Sequence, residues 1–218
     1  MLRKYQALLS VMSDAMSDTL SRLRGELIAA GQFFHARGWV PATSSNFSAR
    51  LGAEEILITS SGQHKGRLDD NGFLRADLQG VSLETGKRPS AETGLHTLMY
   101  RRDPAMGSVL HTHSVNATVL SMRLEEVVLA GYEVQKAFPG VETHESRLVI
   151  PVFPNSQDIP ALAAEVNAYL DAHPQTVAYL IRGHGLYTWG ATVADTLRHI
   201  EALEFLFECV YRQLLLDR

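Results

Sequence analysis

Apolar residues recur at helical spacing over residues 19–37, TLSRLRGELIAAGQFFHAR, with Leu20, Leu23, Leu27 and Phe34 near one face. This spacing predicts a helix ending at Gly38, a residue suited to the left-handed conformation that follows a last turn. SSNFSARL and EILITSS then read as two strands joined by a turn around Gly52 and Ala53. Asp69–Gly72 reads as a further turn and GVSLET as a strand.

SAETGLHTLMYRR predicts a helix with Ser90 as its N-cap and Leu95, Leu98 and Met99 inward. MGSVLHTH reads as a strand and SVNATVLSMR as a helix capped by Ser114. LVIPVF is a strand whose Pro151 places it near an edge or a bend. DIPALAAEVNAYLDAHP is a helix, and TVAYLIRG and GLYTWG form a hairpin turning around His184. TVADTLRHIEALEFLFECVYRQLLL is a long closing helix. Strands and helices interleave, but several strand links are too short for crossovers. The expectation is an α/β fold with a mixed, largely antiparallel sheet and helices on both faces.

The 218 residues allow one large domain, read here as residues 19–218 preceded by an N-terminal extension, residues 1–18. The extension has a basic tip, but its short apolar patch is broken by polar residues and by Asp14, so it makes a poor signal peptide. No apolar run approaches the roughly 20 residues of a membrane span. The net charge of −4 argues against a nucleic-acid partner, since no basic stripe is available to neutralise phosphates. The lone cysteine, Cys209, lies in an apolar run and reads as a buried structural thiol, compatible with a cytoplasmic chain.

Candidate chemistry centres on VLHTHS. On a strand, residues i and i+2 share a face, so His111 and His113 converge. On a helix they would lie about 200° apart and could not share an ion. The pair by itself also fits two strand-end histidines satisfied by backbone and water. A catalytic zinc takes three protein ligands and leaves one position open. His184 is a candidate third ligand, flanked by Gly183 and Gly185, although a turn histidine without chemistry fits that position too. His96 and His199 read as polar residues of helices packed in the core.

PSAETGLHTLMYRRDPAMGSVLHTHS, followed later by RGHGLYTWG, resembles the class II aldolase/adducin-head family. Its members share S-[SA]-E ahead of a helix, a strand ending in H-x-H, and a distal histidine beside a glycine. The resemblance runs from about residue 19 to the C-terminus. It implies a three-layer α/β/α sandwich, one zinc ion per subunit held by His111, His113 and His184, and a phosphorylated sugar substrate. It also implies a homo-oligomer, commonly a tetramer with active sites near subunit interfaces.

Within the family, GWVPATSSNFSAR, SSGQHKG and GLYTWG are similar to segments of a dehydratase branch of methionine salvage. That branch removes water from a methylthio-substituted ketopentose phosphate. It also places a glutamate and a lysine downstream of the H-x-H, here Glu133 and Lys136 in GYEVQKAF. The resemblance thus implies Glu133 as the proton-transfer carboxyl. It sets Glu92 near the metal as resting ligand, substrate contact or proton carrier. Glu92 fits equally a first-turn helix charge, favourable by about 0.3–1 kcal/mol.

The phosphate would be held by Asn46, Ser60, Ser61, Gly62 and Ser90, through hydroxyls and an anion nest of backbone N–H groups. Lys136 or Lys65 would add charge. Phe47, Tyr187 and Trp189 are candidates for an apolar wall. The same scaffold also serves sugar-phosphate aldolases and epimerases, a reading that Tyr132 beside Glu133 keeps open. An adducin-head interaction module is the third reading, but such modules lack the three histidines.

Overall fold

In the computed structural model, residues 2–217 are described, with side chains from Asp14 onward. Helix α1 (Leu2–Ala36) leads into strands β1 (Asn46–Arg50), β2 (Glu55–Thr59) and β3 (Phe73–Asp77). Helix α2 (Thr93–Arg102), strand β4 (Ser108–Thr112), helix α3 (Val115–Arg123) and strand β5 (Glu126–Leu129) follow. The chain closes with β6 (Leu148–Phe153), α4 (Ile159–Ala172), β7 (Ala178–Ile181), β8 (Gly185–Gly190) and α5 (Val193–Leu216).

The strands form one eight-stranded sheet in the order β3-β2-β1-β4-β8-β7-β6-β5. Among the described residues only β6 and β7 run parallel, and α4 provides their crossover. Two apolar cores lie on the two faces. Leu110, Leu186 and Leu203 belong to the core shared with α1, α3 and α5, whereas Val109, Tyr187 and Leu162 belong to the one shared with α2 and α4. The α/β fold with a mixed, largely antiparallel sheet between helical layers is therefore observed.

Local chemistry explains most boundaries. Gly38 takes φ +74°, and the Gly38 and Trp39 N–H groups return to the carbonyls of His35 and Phe34, closing α1 as a Schellman turn. The Ser114 side chain accepts from the Ala117 N–H and starts α3 as the sequence predicts. Pro151 falls in β6, which lies next to the edge strand β5.

Several expectations are corrected. The helix predicted over residues 19–37 begins at Leu2, so the segment read as an extension runs without a break into α1; Met1 and the side chains of residues 1–13 lie outside the described residues. GVSLET is not a strand. The preceding FLRAD pairs with β2 instead, leaving Ser82 a single bridge to Ala76. Strand β5 has only two buried positions and sits at the edge, which gives it a weak signal. Ser90 is not the N-cap of α2. Glu92 occupies that position, and Ser90 caps a preceding turn by accepting from the Glu92 N–H. Cys209 is half-buried rather than buried.

Candidate metal centre and substrate cleft

β4 lies between β1 and β8 at the sheet centre, and all five of its residues are buried. Strand alternation puts Val109 and His111 on the α2/α4 face. His113 continues that parity one residue past the strand end, and its ring centroid lies 4.4 Å from that of His111. The β7–β8 turn brings His184 to the same point, with ring centroids 5.0 Å from His111 and 4.7 Å from His113. Each histidine offers a ring nitrogen within 4.8 Å of the other two.

Close approach of main chain requires glycine beside His184. A Cβ on Gly185 would lie 2.1 Å from the Thr112 carbonyl oxygen and 3.0 Å from the His111 ring. Gly183 takes φ +62°, which a side chain would strain.

The donor set fits a metal ion. His111 Nδ1–H donates to the Leu186 carbonyl at 2.9 Å, and His184 Nδ1–H donates to Asn155 Oδ1 at 3.4 Å. Both Nε2 lone pairs are thereby turned toward each other, 3.3 Å apart. Two neutral lone pairs at that separation repel unless a cation lies between them. Tetrahedral ligands at about 2.0–2.1 Å from zinc are roughly 3.3–3.4 Å apart. Burial pushes His111 well below its ordinary pKa and His113 down to about 4, so both are the neutral imidazoles that ligate.

Glu92, at the start of α2, faces this point. Its Oε1 is 3.0 Å from His184 Nε2 and its Oε2 is 3.6 Å from His111 Nε2. Oε2 also accepts from the Tyr187 hydroxyl at 2.6 Å and from Asn46 Nδ2 at 2.7 Å. Burial opposes ionisation, whereas positive charge held at His111 and His184, on the rings or on an ion between them, and the hydrogen bonds from Tyr187 and Asn46 favour the carboxylate and keep it below its usual range.

Behind Asn46 runs a buried chain that the sequence does not reveal. The Tyr100 hydroxyl lies 2.8 Å from Ser48 Oγ, which lies 2.7 Å from His96 Nδ1. His96 Nε2 meets Asn46 Oδ1, so the Asn46 amide can turn only its NH₂ toward Glu92. His96 is thus the core histidine expected, with the added effect of orienting Asn46.

Asn46, Ser60, Ser61, Gly62, Ser90, Glu92, His113 and His184 line one cleft of about 360 Å³, together with Thr43, Ser44, Ser45 and Ala91. His111 is fully buried, against the rings of His113 and His184 that line the cleft. The anion nest at Ser60 and Ser61 is not available, because their N–H groups already donate to the Gly72 and Arg88 carbonyls. The hydroxyls remain: Ser45 Oγ and Ser60 Oγ are buried without a partner among the described residues. Ser45 also has φ +75°, a strained backbone for a residue with a side chain.

Other predicted residues do not come to the cleft of their own chain. Glu133 and Lys136 pair with each other at 2.6 Å on an exposed 3-10 turn, Glu133–Ala137, packed against α5. Phe47 is buried against Phe34 in the core. Tyr187 is spent on His111, stacked at 4.0 Å, and on Glu92. Trp189 lines a separate groove near Pro139 and Pro174. None of the three aromatics forms a wall of the cleft.

The family described as Class II Aldolase and Adducin N-terminal domain matches residues 25–211. The chain belongs to the class II aldolase/adducin family. Within that family, it is 57% identical to a methylthioribulose-1-phosphate dehydratase of Pseudomonas aeruginosa, over 93% of this chain and 100% of that one. It is 61% identical to the enzyme of that name from Pseudomonas syringae pv. syringae, over 84% of this chain and 91% of the relative. The crystal structure of l-fuculose-1-phosphate aldolase from Thermus thermophilus matches with a TM-score of 0.73 at 26% identity, covering 91% of this chain and 99% of that one. Class II aldolases are metal-dependent, and the three-histidine cluster is a site that can hold a metal. Among the described residues, no helix is long and apolar enough to cross a membrane.

Proposed function

We propose that this protein is a zinc-dependent methylthioribulose-1-phosphate dehydratase of methionine salvage. It would remove water from 5-methylthioribulose 1-phosphate to give 5-methylthio-2,3-dioxopentyl phosphate. The observation that carries this reading is the cleft in which three histidines and Glu92 converge, in a chain 57–61% identical to dehydratases of that name.

His111, His113 and His184 would hold one zinc ion per subunit. When bound, zinc supplies Lewis acidity at the C2 carbonyl, which makes the C3 proton removable. The chain's own residues do the rest. Ser45 and Ser60 would offer hydroxyl donors toward the substrate, while Asn46 spends its two N–H groups on Glu92 and Ser90 and so fixes the Glu92 carboxylate beside the histidines.

Dehydration takes a proton from C3 and expels the C4 hydroxyl, which needs that proton or another to leave as water. A single carboxyl reaching both atoms serves as base and then as acid. Glu133 is our choice for it. Its side chain is 69% exposed and away from the cleft of its own chain, so the role requires a second copy to present it. This supports a homo-oligomer, a tetramer in our reading, with Lys136 delivered beside Glu133. The protein is expected to work in the cytoplasm.

The deciding experiment is an absorbance assay for the diketone with 5-methylthioribulose 1-phosphate and zinc-loaded protein. Diketone formation is the expected result. Retro-aldol products from fuculose or rhamnulose phosphate, with no diketone, would overturn the reading in favour of an aldolase.

A further inference from the structure

Lys65 is only 1% exposed, yet it carries an ammonium directly behind the cleft wall. Its Nζ donates to the Thr43 carbonyl at 3.3 Å and to the Gln63 carbonyl at 2.6 Å. These carbonyls belong to two separate loops, one between α1 and β1 and one after β2. Thr43, Ser45, Ser61 and Gly62 from those loops line the cleft.

The position of Lys65 is set by packing. It opens a 3-10 turn, Lys65–Arg67, that lies against α1. A Cβ on Gly31 of α1 would meet the Lys65 carbonyl oxygen at 2.3 Å, and a Cβ on Gly66 would meet the His35 ring. Glycine at both places lets the turn seat closely, with the Lys65 side chain running inward under the loops.

Charge makes this placement informative. Among the described residues, no lysine or arginine lines the cleft, and Glu92 contributes a negative charge. Arg88 accepts from the Ser61 N–H through its carbonyl, and the residue is exposed. A phosphate monoester adds about −1.5 to −2 at neutral pH. Burying an ammonium is costly unless it is paired and hydrogen-bonded, and two carbonyls occupy only two of its three donors. Burial lowers Lys65 to about 8, so it remains a cation at neutral pH.

We propose that Lys65 anchors the phosphate of the substrate from behind the cleft wall. It clamps the two loops through Thr43 and Gln63 and supplies the positive charge that no lining side chain of its own chain provides. Lys65 is a positioning residue, and the assignment rests on the reading that the cleft takes a phosphorylated sugar.

The test compares zinc-loaded wild type, Lys65→Met and Lys65→Gln. Glutamine keeps a donor for the carbonyls without the charge; methionine removes both. KM and kcat are measured with 5-methylthioribulose 1-phosphate, alongside zinc content, thermal unfolding and inhibition by unphosphorylated 5-methylthioribulose. The expected result is a KM raised about tenfold or more in both variants, with kcat within about threefold. Zinc content and inhibition by the unphosphorylated sugar should not change. A wild-type KM in Lys65→Gln would overturn the charge assignment, as would an equal loss of affinity for the unphosphorylated sugar. Should Lys65→Met not fold, Lys65→Gln carries the comparison. Should the wild type fail to turn over the substrate, the dehydratase reading falls separately. Lys65 is then judged by calorimetric binding of inorganic phosphate: weaker binding in Lys65→Gln supports the anchor, and equal binding overturns it.

Discussion

The Tyr187 hydroxyl donates to Glu92 Oε2 at 2.6 Å while the Tyr187 ring stacks on His111 at 4.0 Å. One side chain therefore fixes both a ligand candidate and the carboxylate that faces it. Tyr187→Phe keeps the stack and removes the donor. A hydrogen bond to a charged group is worth about 1.5–3 kcal/mol, so a loss of roughly tenfold or more in kcat/KM is expected with zinc retained. Steady-state kinetics with metal analysis checks this, and an unchanged rate would show that Glu92 needs no such support.

His111→Ala and His184→Ala are each expected to lose zinc and activity together. Gly185→Ala should do the same without touching a ligand, because its Cβ would collide with the Thr112 carbonyl and crowd His111. Zinc content by atomic emission distinguishes this outcome from simple misfolding when circular dichroism is recorded in parallel.

Glu133→Gln should keep zinc and lose turnover, since an amide cannot relay the proton. If a second copy supplies Glu133, subunits of Glu133→Gln and His113→Ala, each inactive alone, should regain activity when unfolded and refolded together. Mixed assemblies then contain sites with an intact cleft and an intact Glu133. Failure to regain activity, with mixed oligomers verified by mass spectrometry, would confine Glu133 to its own chain or remove its role.

Glu204 of α5 lies on the opposite face of β4, accepting from the Thr112 hydroxyl at 3.3 Å with Oε2 unpartnered among the described residues. Burial raises its pKa from 4.5 to about 7, worth roughly 3 kcal/mol. The unfolded chain releases this proton near 4.5 and the fold keeps it until about 7, so the folded state binds more protons between these values. Stability from this group is therefore present at low pH and lost as pH rises through that window. Glu204→Gln should flatten this slope and be the more stable form at pH 8 by a few kcal/mol. Urea unfolding at pH 5 and pH 8 measures both effects, and a wild-type slope in the variant would refute the assignment.

The chain by itself determined what depends on local periodicity. Strand parity alone brings His111 and His113 to one side, because alternation is a property of a few consecutive residues. The Gly38 stop, the Ser114 cap and the hairpin that presents His184 are equally local. GVSLET reads as a strand because Val81 and Leu83 alternate with polar residues, whereas pairing with β2 selects FLRAD instead.

Tertiary structure decided the rest, because those contacts join residues far apart in the chain. Glu92 meets Asn46 and Tyr187 only because β1, β4 and β8 are neighbours in the sheet. That Lys65 is buried under the cleft, and that Glu133 is not in it, follow from where two short 3-10 turns pack, against α1 and α5 respectively. Neither turn carries a periodic signal that would reveal its neighbour. The candidate ligands could thus be read from sequence, whereas the groups that orient them and balance the charge needed the assembled sheet.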